Sequence, residues 1–81
     1  MNDKEVATVV LKIGAARHDV SLKDADSHWR DPRAVRARWF AFNALRERGW
    51  SLPRIARAFN RDHTTVIYGL RRFEEEENEK G

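Results

Sequence analysis

The stretch SLPRIARAFNRDHTTVIYGLRRF, residues 51–73, decides how the chain is read. Leu52, Ile55, Ala56 and Phe59 recur at spacings of three and four, the period of a helix that buries one face. Ser51 precedes them as an N-cap, and Pro53 falls in the first turn, where a missing N–H costs little. Trp50 and Ile55 flank that cap as a hydrophobic staple. Asn60, which tolerates the left-handed conformation, ends the helix. Asp62 then caps a second, longer helix whose Val66, Ile67, Leu70 and Phe73 are expected to face inward. Two helices joined by a turn of about three residues form a helix-turn-helix. In that motif the N-terminal residues of the second helix meet base edges in the major groove. Here those residues are Asp62, His63, Thr64 and Thr65.

Helical periodicity extends upstream. Asp31-Pro32 reads as an N-cap followed by proline at the first helical position, and opens a helix carrying Val35, Trp39, Phe42 and Leu45. Gly49 closes it as a left-handed cap. Ser21 with Asp24 resembles a capping box for a short helix. A first helix starts near Asn2 or Asp3, with Val6, Val9, Val10 and Ile13 expected on its inner face and Gly14 as its stop. No stretch alternates for long like a strand. The expectation is an all-α bundle of four to five helices, with Trp39, Phe42, Ile55, Phe59, Ile67 and Leu70 in one core.

Charge is unevenly placed. The segment EEEENEKG, residues 74–81, holds five acids and one lysine, so residues 1–73 carry 15 basic and 8 acidic groups, a net +7. The chain is therefore divided into a domain over residues 1–73 and an acidic, solvated tail over 74–81. Eleven arginines and no lysine lie between Arg30 and Arg72, against only Asp31, Glu47 and Asp62. Arginine presents a planar fork that suits phosphates and base edges, so the block points to a polyanion.

Other classes of function fare worse. With no cysteine there is no disulfide and no thiolate zinc site, and His18, His28 and His63 lack metal-ligand spacing, so no cofactor is expected. Neighbouring residues on one helix do not converge on one substrate atom, so Asp62, His63 and Thr64 are not a catalytic triad and the chain does not read as an enzyme. No apolar run approaches a membrane span and MNDKEV is not a signal peptide, which makes the cytoplasm the default location. A competing reading is a protein-interaction module that uses Trp39, Trp50 and the acidic tail and binds DNA only weakly. Asp62 has a dual reading, since one carboxylate can cap a helix and also meet a base. Thr64 and Thr65 are poor helix formers, so a reading role explains them better than stability does. Trp29 and Trp50 are assigned to packing.

Residues 51–73 also resemble the signature of the C-terminal DNA-binding domain of DnaA, the bacterial replication initiator. The elements SLP, I..AF and RDHTTV are close to that family's pattern. The resemblance runs upstream through VRARWFAF and DVSLKDADSHWRDPR, covering about Val6 to Phe73. It implies a helical domain that reads double-stranded DNA with Asp62, His63, Thr64 and Thr65 in the major groove. It also implies that Arg38 and Arg46 hold phosphates, that Pro53 and Arg61 lie near the duplex, and that a loop arginine enters the minor groove. Arg30 fits that last role by spacing, with Arg33 as its competitor. The family usually has two glycines where this chain has Asn60, so the turn is one residue shorter. No glycine-rich phosphate loop occurs in these residues. The resemblance therefore implies a stand-alone or excised DnaA-like domain that regulates transcription or replication, with a possible protein partner in such a complex.

Overall fold

The computed structural model describes residues 1–80, and these form five α-helices with no strand among them. They are α1 (Asp3–Arg17), α2 (Leu22–Asp26), α3 (Pro32–Glu47), α4 (Leu52–Phe59) and α5 (His63–Lys80). Helix α3 is the centre: α1 makes its most extensive packing against it, and α2, α4 and α5 also lie on it. The all-α class and the helix-turn-helix of α4 and α5 are as the sequence led us to expect.

Local chemistry sets the boundaries. Asn2 and Glu5 cap α1 reciprocally, at 2.8 Å and 3.2 Å. Ser21, Asp31 and Ser51 each accept a backbone N–H from the first turn of the helix that follows. Three helices end in one device, in which a residue with left-handed φ reverses the chain. These residues are Asp19 (φ 54°), Gly49 (φ 92°) and Asn60 (φ 52°). In each case the next N–H reaches back to a carbonyl five residues earlier: Val20 to Ala15, Trp50 to Leu45, and Arg61 to Ala56. That is the Schellman closure, which satisfies otherwise orphaned carbonyls.

Two expectations about inward faces are corrected, and a glycine lies behind both. Helix α1 does not stop at Gly14; it runs on to Arg17. Its buried ridge is Ala7, Leu11, Gly14 and Ala15, while Val9 and Ile13 are 45% and 50% exposed. A Cβ on Gly14 would stand 2.6 Å from the Ala37 carbonyl oxygen. The α3 residue against Gly14 is the small Ala37, one of three buried alanines on that helix with Ala34 and Ala41, so the two backbones approach closely. Val9 and Ile13 lie away from this crossing, whereas Val6 and Val10 pack partly buried against the core as expected. Helix α5 repeats the pattern. Its inner ridge includes Val66, Gly69 and Leu70, and Ile67 is 39% exposed rather than buried. A Cβ on Gly69 would stand 2.7 Å from Trp39 Cδ1 and 2.8 Å from Phe42 Cδ2. Trp39 and Leu70 are only half-buried, whereas Phe42, Ile55 and Phe59 belong to the core as expected.

The aromatic residues fill what the alanines leave open. Phe42 and Phe59 meet edge to face at 5.2 Å and lock α4 to α3. Trp50 is 5% exposed, so it leaves the surface proposed for protein contact and joins the core. Arg54 lies 3.9 Å above its ring and also pairs with Asp3 through two 2.9 Å bonds, tying α4 to the start of α1. The acid-rich end of the chain continues α5 through Lys80. Arg36 of α3 binds Glu76 there at 3.0 Å.

Both helix crossings are testable. Alanine gains about 1 kcal/mol over glycine in a helix. Overpacking a tight contact costs about 1–3 kcal/mol. At Gly14 the obstacle is a backbone carbonyl that cannot rotate away, so the cost prevails. Thermal denaturation is expected to show a lower Tm for Gly14→Ala, and a drop also for Gly69→Ala, where the added Cβ meets the buried Phe42 ring as well as Trp39. A higher Tm for Gly14→Ala would contradict the close crossing.

Candidate nucleic-acid interface

The turn Asn60–Asp62 delivers α5 with its first residues pointing into solvent. Asp62, His63, Thr64 and Thr65 are all exposed, and Val66 immediately after them is fully buried. The division follows from helix geometry: Val66 begins the ridge that faces α3, and the first turn projects beyond that contact. Asp62 caps the helix. Its carbonyl accepts from Val66 N–H at 3.2 Å, and its Oδ1 accepts from Thr64 N–H at 2.8 Å. The Thr64 backbone and hydroxyl bonds, aided by nearby His63, hold the Asp62 carboxyl below the usual carboxylate range. The cap therefore keeps a negative charge at neutral pH. The exposed face continues along α5 through Ile67 and Tyr68, the latter 56% exposed with its ring edge-on to Trp39 at 6.2 Å. The sequence reading passed over Tyr68 and buried Ile67. The signal for both was present, since they lie one turn beyond His63 and Thr64.

The arginines divide into two groups. Arg38 and Arg61 turn inward onto the segment between α2 and α3. Arg38 donates to the carbonyls of Ala25 (3.1 Å), Ser27 (2.8 Å) and Trp29 (2.7 Å). Arg61, from the helix-turn-helix turn, donates to the carbonyls of Asp26 (3.0 Å) and Ser27 (2.6 Å), and to His28 Nδ1 at 2.7 Å. A guanidinium has no acceptor, so the ring nitrogen accepts in this pair. Burial lowers the pKa of both arginines; Arg61 lowers Arg38 further, and Asp26 partly offsets the effect in each. Both guanidinium groups thus have carbonyl partners before any ligand arrives.

Arg30, Arg33 and Arg46 differ from these. Arg33 folds back on Asp31, with Nε at 3.2 Å, and donates to the Asp19 carbonyl at 3.3 Å. The Asp31 carboxylate raises the Arg33 pKa, and the Arg33 side-chain bond in turn lowers that of Asp31. Arg30 is exposed and makes no hydrogen bond or ion pair among the described residues. Arg46 donates to the Trp50 carbonyl at 2.8 Å, bracing the corner between α3 and α4, and its residue is otherwise exposed. Pro53 is exposed in the first turn of α4.

The site is thus a front of exposed polar groups at the start of α5, flanked by a loop carrying the unpaired Arg30. Arg61 joins the two at the turn. Among the described residues no cluster of three His, Cys, Asp or Glu could hold a metal ion, and no helix is long and apolar enough to cross a membrane. Comparison with family models matches residues 7–72 to one described as the bacterial dnaA protein helix-turn-helix. Comparisons with curated proteins and with solved structures return no match.

The Asp62 cap has a pH signature. Its folded-state pKa is lowered, so its stabilisation is complete above the unfolded value and is lost as pH falls through the folded one. Asp62→Asn retains a capping acceptor that does not titrate in this range. The stability difference between wild type and Asp62→Asn is expected to stay constant above about pH 5 and to move against the wild type below about pH 4. A difference independent of pH over this range in denaturant titrations would show that the cap carries no charge.

Proposed function

The chain belongs to the bacterial DnaA helix-turn-helix family, a family of DNA-binding domains, and from that premise we propose that it is a sequence-specific duplex-DNA-binding regulator. In this reading it acts on transcription or replication at the nucleoid in the cytoplasm, without catalysis. The single observation that carries it is the exposure of Asp62, His63, Thr64 and Thr65 together at the N-terminus of α5. Four polar side chains there do nothing for the core. Carboxylate, imidazole and hydroxyls supply acceptors and donors for base edges, and the threonine methyls suit the thymine methyl. The positive end of the α5 dipole favours a neighbouring phosphate.

Arginine geometry supports a division of labour. Arg30, exposed and unpaired, takes the minor-groove role, and Arg33, engaged by Asp31, does not. Arg46 and the N-terminus of α4 near Pro53 flank the duplex backbone. Arg38 and Arg61 act mainly through the loop that they hold, which modifies the simple phosphate-contact role that the resemblance implies.

Titration of labelled duplexes tests these roles. His63→Ala and Thr65→Ala are each expected to cost about 1–3 kcal/mol on the cognate site and little on scrambled duplex, where phosphate charge dominates. Arg46→Ala should weaken both duplexes alike and reduce the salt slope by about one unit. Arg30→Ala should weaken binding far more than Arg33→Ala. An unchanged ratio of cognate to scrambled affinity in the His63 and Thr65 variants would remove them as readers.

A further inference from the structure

We propose that the Trp29 indole is a DNA-contacting group in its own right, one that packs into the minor groove beside Arg30. The inference rests on the duplex-binding reading above and extends it to a residue that sequence reasoning had assigned to packing.

The three tryptophans have separate environments. Trp50 is buried, and Trp39 is half-buried between Tyr68 and Arg72. Trp29 is 48% exposed, and among the described residues its ring has no aromatic neighbour and no cation above it. A tryptophan buries a large apolar area when it packs, so one left half in water on a small domain is an unused contact surface. Its indole N–H, a donor only, is likewise without a partner among the described residues.

The backbone beneath that ring is fixed. Trp29 N–H donates to Ser27 Oγ at 3.0 Å, and its carbonyl accepts from Arg38 at 2.7 Å. Two residues earlier, the Ser27 carbonyl is held by both Arg38 and Arg61. The ring is therefore presented from an ordered segment, which keeps the entropy cost of contact low.

Charge selects the partner. Arg30 follows Trp29 in the chain and has no ion pair among the described residues, and Arg38 and Arg61 lie beneath the same segment, where they offset the charge of Asp26. The nearest acid in sequence, Asp31, is covered by Arg33. A cationic surround of this kind favours a polyanion over an apolar protein patch. Arg61 links the segment to the first turn of α5, so a duplex in contact with that turn is the polyanion within reach. Apolar side chains commonly enter the minor groove as wedges beside arginine. The floor of that groove at A·T pairs shows acceptors only, whereas G·C adds a protruding amino donor. A donor-only indole therefore matches A·T and opposes G·C.

The experiment measures acrylamide quenching of tryptophan fluorescence, free and with duplexes whose flank beyond the cognate site is A·T or G·C. Anisotropy of the labelled duplex reports binding separately. The expected result is a readily quenched component in the free wild type that is lost on the A·T-flanked duplex and is missing from Trp29→Phe in both states. Trp29→Ala should bind the A·T-flanked duplex about tenfold more weakly, with a reduced preference over the G·C flank and an unchanged Tm. Wild type that binds duplex while Trp29 stays fully quenchable would overturn this inference and leave the duplex-binding reading intact. Wild type that binds no duplex at low salt would overturn both.

Discussion

One carbonyl oxygen, that of Ser27, accepts from Arg38 at 2.8 Å and from Arg61 at 2.6 Å. Arg38 comes from the middle of the central helix, and Arg61 comes from the turn that launches α5. Their meeting point lies in the segment that carries Trp29 and Arg30. Three parts of the molecule separated in sequence are thereby held in one register. Burial disfavours both cations, and they repel each other. The arrangement persists because further carbonyls, from Ala25, Asp26 and Trp29, take the remaining donors. Charge-assisted bonds of this kind are stronger than neutral ones; losing Arg38 takes this partner from the part-buried Ala25 carbonyl, and losing Arg61 leaves the Ser27 carbonyl with Arg38 alone.

The orientation of α5 has a second determinant, its crossing of α3 at Gly69. The aromatic rings of Trp39 and Phe42 occupy the space that a side chain would take. That contact, the edge-on ring pairs Trp39–Tyr68 and Phe40–Phe73, and the Arg36–Glu76 ion pair hold the helix against α3 from its second turn to Glu76. His63, Thr64 and Thr65 of the first turn project beyond this grip and are exposed. A helix gripped in this way presents its first-turn side chains on a backbone with little freedom to lose on binding. The acidic end of α5 takes part in the fold through Glu76 and is more than a solubilising appendage.

Much of this was legible in the sequence where a residue's own chemistry sets the local backbone. Ser21, Asp31, Ser51 and Asp62 cap because a short polar side chain can reach the first N–H groups. Gly49 and Asn60 reverse the chain because they tolerate positive φ. Asp19 does the same and was missed, since aspartate more often signals a start. Inner faces were less legible. Val9, Ile13 and Ile67 are apolar and were placed inside, but the closest crossings use Gly14 and Gly69, which carry no hydrophobic signal. The exposed DHTT front was readable from position alone. The functions of its arginines were not, because whether a guanidinium meets a phosphate or a distant carbonyl depends on tertiary contacts such as Arg61 to Ser27, 34 residues apart.

The central claim is that the loop and the first turn of α5 act on DNA as one body because Arg61 joins them. A double-mutant cycle in duplex affinity tests this most directly, using Arg30→Ala, Arg61→Ala and the double variant, each checked for retention of the fold. If Arg61 works by placing the loop, its replacement should weaken binding strongly while Arg30 is present and only slightly once Arg30 is gone. The two losses would then fail to add. Strictly additive losses would mean that Arg61 contacts DNA independently, and the rigid coupling of loop to helix would be wrong.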